Sequence, residues 1–463
     1  MAAVHHRRGK RDGRAMTSRN SGIDVRLPVD RLPEGGTPSE EAYELISSEL
    51  LLDGSARLNL ATFVTTSMPE RAARLMADTA DKNMIDKDEY PQTAELERRC
   101  VSILSDLWHA PGSDEATGCS TTGSSEAVML CAMALKWRWR QNRRAAGKPT
   151  DRPNLVMGAN VQVCWEKFCR YWDVEARLVP LEGDRLHLTA DAAVAHCDEN
   201  TIGVAAVLGS TFDGSYEPVK EIAAALDRLQ AEKGLDIPVH VDAASGGFIA
   251  PFLQPDLEWD FRIPRVASIN ASGHKYGLVY PGVGWAVWRD RAALPEDLIF
   301  DVNYLGGHMP TFSLNFSRPG SEVVAQYFMF ATLGFDGYRR VQQHSSDVAR
   351  YLAAGVAAIG PYDLVSSGQD LPVFSFALKP EVRNYSVFDV SDRLRERGWL
   401  VPAYTYPENR QDLAVLRIVV RAGMTFDMAD ALLADLRTKT AALEALDAPV
   451  PDALATREQP FHH

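Results

Sequence analysis

The chain has 463 residues, 46% of them hydrophobic and 24% charged, enough for about three domains at roughly 150 residues each and for a full hydrophobic core. Its 32 Gly and 26 Pro are scattered through the chain, which excludes a collagenous, coiled-coil or disordered protein. With 49 Lys and Arg against 62 Asp and Glu, a net charge of −13, it lacks the broad basic surface that duplex nucleic acid needs, so no nucleic-acid partner is expected.

At the start of the chain, residues 1–21 carry Arg7, Arg8, Lys10, Arg11, Arg14 and Arg19 against Asp12 alone. That pattern predicts a solvated tail, or one that orders only in an oligomer, ahead of a nucleic-acid or membrane contact. No apolar stretch in the first 20 residues could serve as a signal peptide. From Leu58 onward, helical and strand periodicities alternate. Leu96, Cys100, Ile103, Leu104 and Leu107 predict one helical face, and Ser124 or Ser125 is expected to cap a second helix through Met129, Met133 and Trp137. Short apolar runs at 154–157, 203–208, 237–241, 266–269 and 283–288, bounded by Gly, Pro, Asp or Ser, predict buried strands of a mostly parallel sheet, with helices such as 218–232 between them. None of these runs is long enough to span a bilayer, so no membrane association is expected and a cytoplasmic location is. Beyond about residue 345 the texture changes to strands at 374–378 and 415–420 and amphipathic helices at 387–396 and 428–443, a smaller α+β domain. The expected organisation is an arm over 1–57, a large domain over 58–345, a small domain over 346–450 and a tail over 451–463. Six cysteines (Cys100, Cys119, Cys131, Cys164, Cys169 and Cys197) without a Cys-x-x-Cys pair read as reduced thiols, with no metal site expected.

Three segments carry chemistry. Ala271-Ser272-Gly273-His274-Lys275-Tyr276 follows a predicted strand, which puts a lysine at the mouth of a site. An amine that is to form a covalent bond must shed its proton, and burial beside polar groups arranges that. Standing alone, such a lysine is more often an ordinary surface residue. In His240-Val241-Asp242-Ala243-Ala244 a carboxylate ends a buried strand, where α/β sheets place ligand contacts, the other reading being a cap for the next turn. Thr121-Thr122-Gly123-Ser124-Ser125-Glu126 is a small-residue turn opening a helix, suited to a phosphate dianion or simply an N-cap.

In this chain order the three segments, joined by Asn59-Leu60-Ala61-Thr62-Phe63, Ile85-Asp86-Lys87-Asp88-Glu89-Tyr90-Pro91, Lys136-Trp137-Arg138-Trp139 and Asn315-Phe316-Ser317-Arg318-Pro319, resemble the glutamate decarboxylases. These are pyridoxal 5'-phosphate enzymes of the type I, aspartate-aminotransferase-like α/β fold, with a mostly parallel central sheet and a smaller C-terminal α+β domain. The resemblance runs from about Asp53 to Arg421, and the Thr-Phe and Ile-Asp-Lys segments look particular to the glutamate branch.

The resemblance implies decarboxylation of L-glutamate to 4-aminobutanoate. The alternatives are another acidic substrate such as aspartate, or a catalytically silent scaffold. It implies that Lys275 holds the cofactor as an internal aldimine, that Asp242 binds the pyridine nitrogen, and that Ser124, Ser125 and His274 contact the phosphate. Gln162 would lie over the ring face and Thr211 would meet the ring hydroxyl. Thr62, Phe63 through its backbone, and Asp86 would recognise the distal carboxylate, with Arg421 serving the α-carboxylate region. Two carboxylates side by side are tolerated only when one is protonated, so an acid-favoured activity is expected. Ser317 and Phe316 would reach the phosphate site of a neighbouring subunit, implying a dimer at least and, by family habit, a hexamer. His463, in Phe461-His462-His463, would be regulatory, its imidazole titrating as the terminus enters the site. Two departures stand out: Glu166 occupies a position where related bacterial enzymes have histidine, and the tail lacks the basic Trp-containing extension that would predict calmodulin binding.

Overall fold

The computed structural model describes residues 27–112, 116–302, 309–446 and 450. The basic arm over 1–21 and the terminal His463 lie outside the described residues. Residues up to Ser55 form one unit and those from Ala56 form another. In the first, helix α1 (Ser39–Leu50) buries none of its side chains.

The second unit is built on a seven-stranded sheet. Its strands are β1 (Thr117–Thr121), β2 (Asn154–Gly158), β3 (Glu175–Val179), β4 (Thr201–Val207), β5 (Val239–Asp242), β6 (Val266–Ala271) and β7 (Gly284–Trp288), in the order β1-β7-β6-β5-β4-β2-β3. Pairing is parallel from β3 through β6, and β7 runs antiparallel to both its neighbours. All residues of β2, β4, β5, β6 and β7 are buried, which is why these strands read as unbroken apolar runs. The two strands without such a run, the polar Thr-Gly-Cys-Ser-Thr of β1 and the half-exposed Glu-Ala-Arg-Leu-Val of β3, are the sheet's edges.

Helices cover both faces: α2 (Glu70–Asp78), α3 (Pro91–Leu107), α4 (Ser124–Ala145), α5 (Val163–Tyr171), α6 (Ala190–Ala195), α7 (Val219–Lys233), α8 (Ala250–Leu253) and α9 (Ser321–Ala357). The alternation of β4 sorts them. Val204 and Ala206 pack with the side of α3, α7 and α9, while Ala205 and Val207 pack with α4 and α5. A short pair, β8 (Phe300–Val302) and β9 (Met309–Thr311), lies apart from this sheet.

Beyond it, β10 (Tyr362–Leu364), β11 (Val373–Leu378), β12 (Ala403–Thr405) and β13 (Ala414–Val419) form an antiparallel sheet ordered β10-β11-β13-β12. It packs with α10 (Val387–Arg395), α11 (Phe426–Glu444) and the C-terminal half of α9 around its own core. Residue 345 falls inside α9, whose one break in helical geometry is at Gly334, with φ 57°.

Two sequence expectations change in detail. Neither Ser124 nor Ser125 caps α4: Gly123 holds the cap position without a side-chain bond, and the Ser124 hydroxyl instead pairs with Ser272 Oγ at 2.7 Å. Ile103 is 37% exposed, because the inward face of α3 runs through Thr93, Glu97, Cys100, Val101 and Leu104.

Candidate active site

The C-terminal ends of β4 and β5, the turn into α4 and the loop after β6 line one cavity of about 310 Å³. Parallel strands all point their carboxyl ends to this edge, so the chain returns there after every crossover. Seven expected residues share the lining: Ser124, Ser125, Gln162, Thr211, Asp242, His274 and Lys275.

The Lys275 amine lies 3.5 Å from Ser245 Oγ and 5.2 Å from the centre of the Phe63 ring. Desolvation pushes its pKa below the ordinary lysine range; the Asp242 carboxylate opposes that shift and the Arg417 charge adds to it. Desolvation, then the neighbouring Lys275 charge, holds His274 down to about 4, so its ring is neutral. Its Nδ1 accepts from the Gly282 N–H at 3.3 Å, which leaves the proton on Nε2. Asp242 is 5% exposed; its Oδ1 also accepts the Ala244 N–H at 3.1 Å, and Trp165 and Asn270 donate to it. Gln162 stands at the rim, its Oε1 accepting the Cys164 N–H at 2.7 Å as the N-cap of α5.

A pyridoxal phosphate fits these residues. The first turn of α4 has backbone N–H groups without intrahelical partners, and its positive dipole end suits a phosphate. Space for the phosphate comes from small residues: a Cβ on Gly284 would lie 2.7 Å from Ser124 N, and one on Gly123 would lie 3.0 Å from His274 Cε1. The Asn160 Oδ1, on the same lining, is buried without a hydrogen-bond partner.

The segment 59–66 is docked beside the lysine. Thr65 donates from its N–H to the His274 carbonyl at 2.7 Å and from its hydroxyl to the Lys275 carbonyl at 2.6 Å. Thr62 Oγ1 accepts the Val64 N–H at 3.1 Å, a local turn, and it is the ring of Phe63 that faces Lys275. Arg421, buried, donates to the carbonyls of Asn59 and Val64 and to Thr66 Oγ1, and so anchors this segment from the end of β13. Arg417 does the same from within β13, donating to the carbonyls of Thr211 at 2.5 Å and Ala61 at 2.6 Å while its guanidinium lies 4.8 Å from the Phe63 ring.

Asp86 and Ser317 do not line the cavity. They meet in a second patch, where Asn83 donates to Ser317 Oγ at 3.3 Å and its carbonyl accepts the Asp86 N–H at 3.2 Å. The backbone there is tied by Met84 N–H to Arg318 O at 2.9 Å and Gly320 N–H to Lys82 O at 2.8 Å. Glu166 is half-buried on α5. Sequence reasoning assigned no role to Asn160, Ser245, Trp165, Asn270 and Arg417. Asn270 is opposite Asp242 in the β5–β6 register, a signal that only the register reveals.

Comparison with known proteins decides the family. The pyridoxal-dependent decarboxylase conserved domain matches residues 39–379. The chain belongs to the pyridoxal-dependent decarboxylases. Within them it is similar to the glutamate decarboxylase of Aliivibrio fischeri, 55% identical over 90% of each chain, and to glutamate decarboxylase 5 of Arabidopsis thaliana, 51% identical over 88% of this chain and 83% of that one. The solved glutamate decarboxylase of Lactobacillus brevis superposes with a TM-score of 0.88 at 45% identity, covering 91% of this chain and 96% of that one. A sphingosine-1-phosphate lyase from Burkholderia pseudomallei shares the fold at TM-score 0.76 and 22% identity. As a pyridoxal-dependent decarboxylase the chain uses the cofactor for which its cavity is shaped.

Proposed function

We propose that the chain removes the α-carboxyl group of L-glutamate as CO₂ and leaves 4-aminobutanoate. The observation that carries this is the meeting of Lys275, Asp242 and the first turn of α4 in one cavity, in a chain 55% identical to a glutamate decarboxylase. Bound there, pyridoxal phosphate supplies the electron sink that the departing CO₂ requires. Lys275 holds it covalently, and Asp242 keeps a proton on its ring nitrogen. The α4 turn, Ser124, Ser125 and neutral His274 take its phosphate, Gln162 covers one face of the ring, and Thr211 meets the ring hydroxyl. The proton returned to Cα comes from Lys275 or His274.

Thr62, Phe63 and Asp86 read the distal carboxylate, and Arg421 the α-carboxylate region, through the segment it anchors. The position of Asp86 and Ser317 outside the cavity of their own chain supports a site completed by a second copy, whose patch of Asp86, Phe316 and Ser317 reaches in. We propose a dimer at least for that reason. Among the described residues no helix is long and apolar enough to cross a membrane, which fits a cytoplasmic location. His463 keeps its proposed regulatory role.

Product analysis tests the reaction. Stoichiometric 4-aminobutanoate from glutamate, and far slower turnover of aspartate, is the expected result; preference for aspartate or no product from either overturns it. Activity should rise toward acid pH, where Asp86 and the substrate carboxylate share a proton. A pH–rate profile flat from acid to neutral refutes that assignment of Asp86.

A further inference from the structure

Asp242 is held by a relay of hydrogen bonds whose direction can be deduced. Its Oδ2 accepts from the Trp165 indole at 2.7 Å and its Oδ1 from the Asn270 amide at 3.0 Å. A carboxylate can only accept, so the amide nitrogen of Asn270 must face it and the amide oxygen must face away. That oxygen lies 2.8 Å from His240 Nε2, which must therefore carry the proton. His240 Nδ1 is then an acceptor, filled by the Ser268 hydroxyl at 2.8 Å. Burial pushes His240 well below the ordinary histidine range despite Asp242 nearby, so the ring stays neutral and the direction is not reversed. The edge of Trp165 against His240, with centroids 5.1 Å apart, fixes both rings.

Each member of this relay except Asp242 is at most 1% exposed. A row of buried polar groups is tolerated only when every member is satisfied, and all of its donors point toward one carboxylate.

We propose that His240 is a positioning residue for the decarboxylation: through Asn270 it fixes the orientation of Asp242 toward the cofactor's ring nitrogen. The inference rests on the functional reading above. Its test uses the holoenzyme. His240→Phe keeps a flat ring but removes the Nε2 proton, freeing Asn270 to turn its oxygen to Asp242. We expect kcat to fall about tenfold to a hundredfold, as when the partner orienting a ligand is lost, with KM for glutamate little changed. We also expect the visible absorbance of the Lys275-bound cofactor to change its pH midpoint. His240→Gln, which restores a neutral N–H donor, should recover much of both. Unchanged kcat and an unchanged pH midpoint in His240→Phe overturn the proposal. If that variant fails to fold, Asn270→Leu breaks the relay one link nearer Asp242 and is read in the same way. Borohydride reduction and peptide mass analysis of the parent separate the two claims. Cofactor on Lys275 with an indifferent His240→Phe overturns only the relay, whereas no cofactor on Lys275 overturns the functional reading and the relay with it.

Discussion

The cavity around Lys275 and the patch joining 82–86 to 315–320 both carry family motifs, yet one encloses its polar side chains and the other leaves Ser317 exposed. In the cavity the side chains are locked within the chain: Asp242 by Trp165 and Asn270, His274 by Gly282, Ser124 by Ser272. In the patch the backbone is tied, through Met84 to Arg318 and Lys82 to Gly320, and the Arg318 side chain is held by Glu97 and Ser313, while Ser317 is exposed. There the Ser317 hydroxyl has a single 3.3 Å contact. A preorganised pocket and a held but outward-presenting surface are what two halves of a shared site require.

That contrast can be broken or sharpened, beginning with the largest effect. Lys275→Ala should abolish the reaction, by at least about 10³-fold in kcat, since the proposed covalent anchor is lost; residual turnover within tenfold of the parent refutes the cavity's role. Asp242→Asn, measured the same way, should cost about 10²–10³-fold, the loss of one preorganised charge. Asp86→Ala should raise KM about tenfold to a hundredfold, the worth of a charge-assisted hydrogen bond. Because the patch is proposed to serve a second copy, co-assembling Asp86→Ala with Lys275→Ala should restore turnover at the parent's low KM, which neither has alone, and no recovery means that the two regions do not share a site.

The smallest effect concerns the turn that carries Thr211. Asp213, two residues on, accepts from His187 at 2.8 Å. Burial disfavours the His187 charge, but Asp213 outweighs it and raises the pKa, with Glu217 and Asp370 assisting. A raised folded pKa means that the contribution is fully present below about pH 6.5, the unfolded value, and fades as pH rises through the folded value. His187→Gln should therefore lower denaturant stability by about 1–2 kcal/mol at pH ~5.5, with the gap closing above neutrality. A gap independent of pH contradicts the pairing.

The sequence marked the buried strands because both of their faces are apolar, and it marked Lys275, Asp242 and the α4 turn because each sits where a strand ends. It did not mark the edge strands β1 and β3, which lack the apolar run. Nor did it reveal Trp165 or Asn270. Nothing local distinguishes them from core residues, and their role exists only once the β5–β6 register and the placement of α5 bring them to Asp242. Arg417 was hidden for a similar reason: its partners, Thr211 and Ala61, are 206 and 356 positions away.

The lysine's own backbone carries one further implication. The Lys275 carbonyl is bonded by Thr65, 210 positions earlier, and the hydroxyl of the adjacent Tyr276 reaches the carbonyl of Val420, 144 positions later. During synthesis the first partner is long finished while the second has yet to emerge. The loop carrying the lysine is thus fully tied only once residue 420 has emerged, and a ribosome-bound fragment ending before β13 is expected to hold that loop less firmly than the full chain.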